Sequence, residues 1–123
     1  MIQTNFTSPY DLLQTFPNEQ VCIEHLQNLR WNGDVISPFD STSKVYKCKD
    51  NKFRCKNTGK YFNVRTGTLF DSSKTNLQKW FVTIWLFITY EGDFSHKQLA
   101  KLIGVSDQTA LHLWQRLKKC LKS

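Results

Sequence analysis

No two of the four cysteines in this 123-residue chain, Cys22, Cys48, Cys55 and Cys120, stand in a Cys-x-x-Cys bite. Tetrahedral zinc held by two such bites is thereby excluded. A long apolar run is also missing: the longest, Trp80 to Ile88, is far too short to span a bilayer. The chain does not open with a basic start, an apolar stretch and a small-residue cleavage site, which predicts no export, a cytoplasmic location and reduced thiols. Acids are scarce, ten against seventeen Lys and Arg, for a net charge of +7. What the chain does have is 40% hydrophobic residues with four Trp and nine Phe, enough to bury a core in one domain or two small lobes.

The positive charge is concentrated. Lys44, Lys47, Lys49, Lys52, Arg54, Lys56, Lys60 and Arg65 follow one another against Asp50 alone, while residues 1 to 43 hold Arg30 against Asp11, Glu19, Glu24, Asp34 and Asp40. That distribution is the electrostatic footprint of a polyanion binder. Alternating Lys on a solvated strand also protects a sheet edge, so solubility alone is a second reading.

From Ile36 to Phe62 the chain has the layout of a zinc ribbon that has lost most of its ligands. Ser37-Pro38-Phe39-Asp40 stands at the first knuckle and Cys55-Lys56-Asn57-Thr58 at the second, leaving Cys55 as the one ligand of the ribbon pattern. Between them a basic hairpin is predicted, Lys44 to Lys49 and Lys52 to Lys56 around an Asp50-Asn51 turn. The scaffold is kept without the metal, which points to DNA or RNA and to a lobe that folds without zinc or any other cofactor. Phe39 is the expected filler of the vacant knuckle. Cys48 and Cys55 could lie on one face of the hairpin, where a disulfide would be an artefact of oxidation.

Ahead of the hairpin, Ser8 with Pro9 and Asp11 starts a short helix whose apolar face is Leu12, Leu13 and Phe16. Asn18 caps a second helix to about Arg30, with Val21, Cys22, His25, Leu26 and Leu29 as a core-facing stripe. Cys22 and His25, three apart, read either as core or as half of a metal site. Trp31-Asn32-Gly33-Asp34 is a turn, and Lys60 to Val64 a third strand.

After Thr75 the signals sharpen. Thr75 and Gln78 form a capping box before a helix that is apolar nearly all round, Leu77 to Ile88, and Gly92-Asp93 ends that segment. Ser95 and Gln98 form a second box, with Phe94 and Leu99 as a hydrophobic staple. Gly104 then turns the chain and Ser106 caps a last helix from Asp107 to about Lys122. Ala110, Leu113, Trp114, Leu117 and Leu121 point inward, and Gln108, Thr109, His112, Gln115, Arg116 and Lys119 are left outside, side chains suited to base edges and phosphates. This is helix-turn-helix spacing; a three-helix packing unit with a polar face is the plainer alternative.

Taken in order, Cys22-Ile23-Glu24-His25-Leu26, Leu29-Arg30-Trp31, Val45-Tyr46-Lys47, Arg54-Cys55-Lys56, Tyr61-Phe62, Thr66-Gly67-Thr68-Leu69-Phe70, Ser73-Lys74, Leu77-Gln78-Lys79-Trp80-Phe81, Gln98-Leu99-Ala100 and Gly104-Val105 cover nearly the whole chain. The pattern resembles the N-terminal part of bacterial insertion-sequence transposases that carry a zinc ribbon. The resemblance implies that ribbon and helix-turn-helix recognise transposon ends, ahead of an RNase H-like domain with a metal-binding acidic triad. Ser37, Asp40 and Thr58 stand where that family has zinc-binding Cys, and Ser123 falls about where the catalytic domain would begin.

The expected fold is therefore α+β: an N-terminal helical segment over 1–34, a zinc-ribbon-like β lobe over 35–71 and a three-helix helix-turn-helix lobe over 72–123. The expected function is a non-catalytic DNA-binding module of transposase origin, with duplex DNA, and itself or an intact transposase, as partners and no membrane. Gln108, His112 and Gln115 lie nearest base edges, Arg116 and Lys119 on phosphate, and Lys47, Lys49, Lys52, Arg54 and Lys56 track the backbone. The alternative is a protein-interaction module, acting on an intact transposase or another host or viral protein through Tyr46, Phe53 or Tyr61. The acids Asp71, Glu91, Asp93 and Asp107 show no spacing that would hold two metal ions, so no catalysis is expected.

Overall fold

Ser8 begins the first helix as the sequence requires: its hydroxyl accepts the Asp11 N–H at 3.1 Å, with a proline in the first turn. In the computed structural model, which describes residues 6–90 and 93–121 (Leu121 by its backbone only), this helix is α1, Pro9–Thr15. It is followed by α2 (Glu19–Trp31), strands β1 (Val45–Lys47), β2 (Phe53–Cys55) and β3 (Tyr61–Phe62), and helices α3 (Leu77–Thr89), α4 (His96–Ile103) and α5 (Asp107–Leu121). The fold is α+β. Two units form: Gln20–Lys74, and Met1–Glu19 with Thr75–Ser123.

In the first of these units the sheet runs β1-β2-β3, all antiparallel. Val45 pairs with Cys55, Lys47 with Phe53, and Phe53 with Phe62, which puts Phe53, Cys55 and Phe62 on one buried face. Against it packs Trp31, edge-on to Phe53 and Phe62 at 5.5 and 6.0 Å. Two expectations fail here for one reason. Trp31 is the buried last residue of α2 rather than part of a turn, and it takes the burial that periodicity assigns to Leu29, which is 55% exposed. Cys48 is not on the face of Cys55: its N–H bonds to the Lys52 carbonyl, continuing a register in which 46, 48, 52 and 54 share the opposite side. All four cysteines are free thiols.

In the other unit α3 is the central element, buried from Trp80 through Leu86 as its all-round apolar sequence demands. Its cap is Asn76, not Thr75: the Asn76 side chain accepts the Gln78 N–H at 2.8 Å, and the Gln78 amide reaches instead to the Phe16 carbonyl. The Asn76 side chain, one residue later, already satisfies the first-turn donor, so no reciprocal box is needed. Phe16 meets Phe81 edge-on at 4.9 Å, fixing α1 on α3. The expected end of this segment at Gly92, and Glu91 beside it, lie outside the described residues.

Candidate nucleic-acid interface

Two surfaces hold the residues that the sequence singles out, one in each unit. The first is α5. Its start is set by α4, which carries the full capping box of Ser95 and Gln98 and ends on Gly104 in the left-handed region at φ 72°. A residue with a Cβ is disfavoured there, and both the Gly104 and Val105 N–H groups return to the Ala100 carbonyl at 3.0 and 3.1 Å. Ser106 then caps α5 by accepting the Thr109 N–H at 3.1 Å. Ala100 and Ala110 are both buried, and the small pair lets the two helices approach closely.

Ala110, Leu113, Trp114 and Leu117 turn inward, with the Trp114 ring against Phe87 at 4.9 Å. The inward place of the Leu121 side chain lies outside the described residues. Gln108, His112, Gln115 and Lys119 are exposed and recur at the three- and four-residue steps of one helix face, forming a continuous stripe. Thr109 and Arg116 are half-buried on its flank. The Thr109 hydroxyl also accepts from Ser106 at 2.9 Å, which makes it part of the cap. Leu111, exposed three residues after Gln108, belongs to the same outward side. Helical periodicity held that signal, but a search for polar contacts passes over a leucine.

The second surface is the hairpin. Asp50 and Asn51 both have positive φ, 58° and 61°, and the Lys52 N–H bonds to the Lys49 carbonyl, which makes a type I′ turn. The turn is tied down by a reciprocal amide pair, Gln20 with Asn51, at 3.1 and 2.9 Å. Lys47, Lys49, Lys52, Arg54 and Lys56 are all exposed. Of the aromatics named for a protein contact, Tyr46 and Tyr61 are exposed but Phe53 is only 5% exposed, because it faces Trp31.

Between these strands and the preceding loop lie residues 37–40 and 55–58, the two segments expected to form ribbon knuckles. Ser37 is buried, and its hydroxyl accepts the Phe39 and Asp40 N–H groups at 3.0 and 3.2 Å. The Asp40 carboxylate accepts from Thr42 and, at 2.9 Å, from Asn57 of the second knuckle. Ser43 accepts the Asn57 N–H at 2.9 Å. Burial opposes ionisation of Cys55, but hydrogen bonding with Ser37, Ser43 and Thr58 outweighs it and brings the thiol down to about 6. Zinc does not fit this set. A structural zinc site takes four Cys and His ligands, whereas one thiol is here and the remaining positions are hydroxyls and a carboxylate already engaged with the chain. Among the described residues no group of three or more His, Cys, Asp or Glu gathers anywhere. Phe39 is not the filler: it is 40% exposed, with its ring edge on Phe62 and under Lys60. Cys22 is buried within α2, and His25 is half-buried on the same helix.

No family model matches the chain, and no solved structure matches it. The chain is 29% identical over 113 residues to an uncharacterized protein in transposable element ISH50 of Halobacterium salinarum. The alignment takes in 89% of this chain but 38% of that protein, so the chain spans well under half the length of its relative. The relationship is consistent with a transposase-related origin. No helix among the described residues is long and apolar enough to cross a membrane.

Proposed function

We propose that this chain is a DNA-binding module of transposase-related origin that reads duplex DNA through α5 and holds it through the hairpin, without catalysing a reaction itself. The observation that carries the reading is the α5 stripe: Gln108, His112, Gln115 and Lys119 exposed in line behind a doubly specified cap and a left-handed Gly104 turn. Glutamine matches the N6 and N7 edge of adenine, and a helix presented after a tight turn is the element that enters a major groove. Leu111 on the same side suits a thymine methyl. The exposed Lys47, Lys49, Lys52, Arg54 and Lys56 supply the sequence-independent attraction that phosphates reward. Kinship with a protein of a transposable element supports transposon-end DNA as the target class.

Selection from a randomised duplex pool, followed by binding across a salt series, tests the proposal. One enriched sequence and a steep fall of affinity with salt are expected, with Gln115→Ala relaxing the preference. Weak binding that is indifferent to sequence and salt would sink it in favour of a protein-interaction module.

A further inference from the structure

The outward face of the three-stranded sheet carries Lys52 and Arg54 of the hairpin surface, but its two tyrosines are used neither by the duplex reading nor by the core. Because Tyr46 pairs with Arg54 and Arg54 with Tyr61, these three residues stand in one row across β1, β2 and β3. A strand spacing of about 4.8 Å sets the two tyrosines roughly 10 Å apart, with the arginine between them. All three side chains are exposed, Tyr46 at 42% and Tyr61 at 61%, while Phe53 and Phe62 on the other face do the packing. The aromatic row is therefore surplus to the fold.

Its surroundings say what it suits. Lys44, Lys52 and Lys56 flank the same strands in step with Tyr46 and Arg54, and Asp50 is the only acid from Lys44 to Arg65. Aromatic faces spaced along a cationic sheet are what unpaired nucleotides need: each base has a π-face to stack, and each phosphate wants a cation. A duplex buries those base faces in its own stack and has little use for the rings. A protein partner with an acidic surface would engage the lysines but would not call for two planar groups set across three strands.

We propose that Tyr46, Arg54 and Tyr61 form a stacking platform for single-stranded DNA, with bases on the two rings and a phosphate at the arginine. The choice of DNA over RNA rests on the duplex reading of α5; the platform itself does not. Binding of the full chain to fluorescent oligothymidylate, oligouridylate of equal length and a hairpin duplex, read by anisotropy, tests it. Tyr46→Ala and Tyr61→Ala are each expected to weaken oligothymidylate binding roughly tenfold, the scale of one lost base–aromatic stack, and to leave the duplex unaffected. Tyr61→Trp keeps the binding. Alanine variants that bind oligothymidylate as the parent does, or that lose duplex and single strand equally, would overturn the platform. Tighter, tyrosine-dependent binding of oligouridylate would overturn the assignment to DNA. Loss of self-association in the alanine variants, with nucleic-acid binding intact, would make the row a protein contact instead. A platform that works while duplex selection enriches nothing would remove the α5 reading alone, and the reverse would remove the platform alone.

Discussion

Cys55 shows how hydrogen bonding can hold a single buried thiol where the ribbon-like sequence leads one to expect a metal ligand. Its thiol is buried among Ser37, Ser43 and Thr58, and the hydroxyls lower its ionisation to about 6 from an ordinary 9.0. The unfolded chain then binds more protons than the folded one between those two values, so stability rises with pH through that window and is lost as pH falls through about 6. Denaturation midpoints between pH 6 and 9 are expected to climb in the parent and to climb less in Cys55→Ala. Added zinc is expected to leave the parent midpoint unchanged, since Asp40 is already bonded to Thr42 and Asn57. Equal pH slopes in parent and variant would show that Cys55 stays a neutral thiol.

At the scale of elements, the hairpin and α5 are expected to fail in different ways. Replacing Lys49, Lys52 and Arg54 together by Ala should weaken duplex binding about equally on all sequences, and reduce the salt slope by roughly 0.9 for each phosphate that is no longer neutralised. A triple variant that binds as tightly as the parent would show that the hairpin is no DNA surface. How legible each element is depends on what specifies it. Helix ends are written locally, in a side chain and the N–H it satisfies, so Ser8, Ser95, Gly104 and Ser106 can be placed from sequence. Thr75 misleads because Asn76 beside it caps equally well. Burial in short strands is not local. With three residues to a strand there is too little alternation to fix a face, and only pairing decides that Phe53 is covered while Tyr46 is bare. Leu29 and Trp31 likewise exchange roles because the sheet lies over the last turn of α2, a fact of tertiary packing. The α5 stripe can be read almost whole, since one helical period orders it. The Tyr46–Arg54–Tyr61 row cannot, because its members come from three strands.

Among the described residues the acids are scattered rather than gathered into a metal-holding group, and that bears on chemistry. Cutting DNA with divalent metals takes two ions about 3.5–4 Å apart, held by carboxylates that converge on the reacting phosphate. Here Asp11 accepts from Thr7, Glu19 accepts the Leu77 N–H, Asp40 is tied into the knuckles and Asp71 accepts the Gly67 N–H. Asp50 sits in a turn among lysines, Asp93 precedes α4 and Asp107 is the first residue of α5. Each of these carboxylates answers to its own neighbourhood, and among the described residues no group of three or more His, Cys, Asp or Glu gathers to hold a metal. Supercoiled plasmid incubated with the protein and Mg²⁺ or Mn²⁺ is therefore expected to show neither nicking nor strand joining. Cleavage that co-purifies with the chain and vanishes in Asp71→Ala or Asp93→Ala would place a metal site where these contacts predict none, and would turn the proposed DNA-binding module into a nuclease.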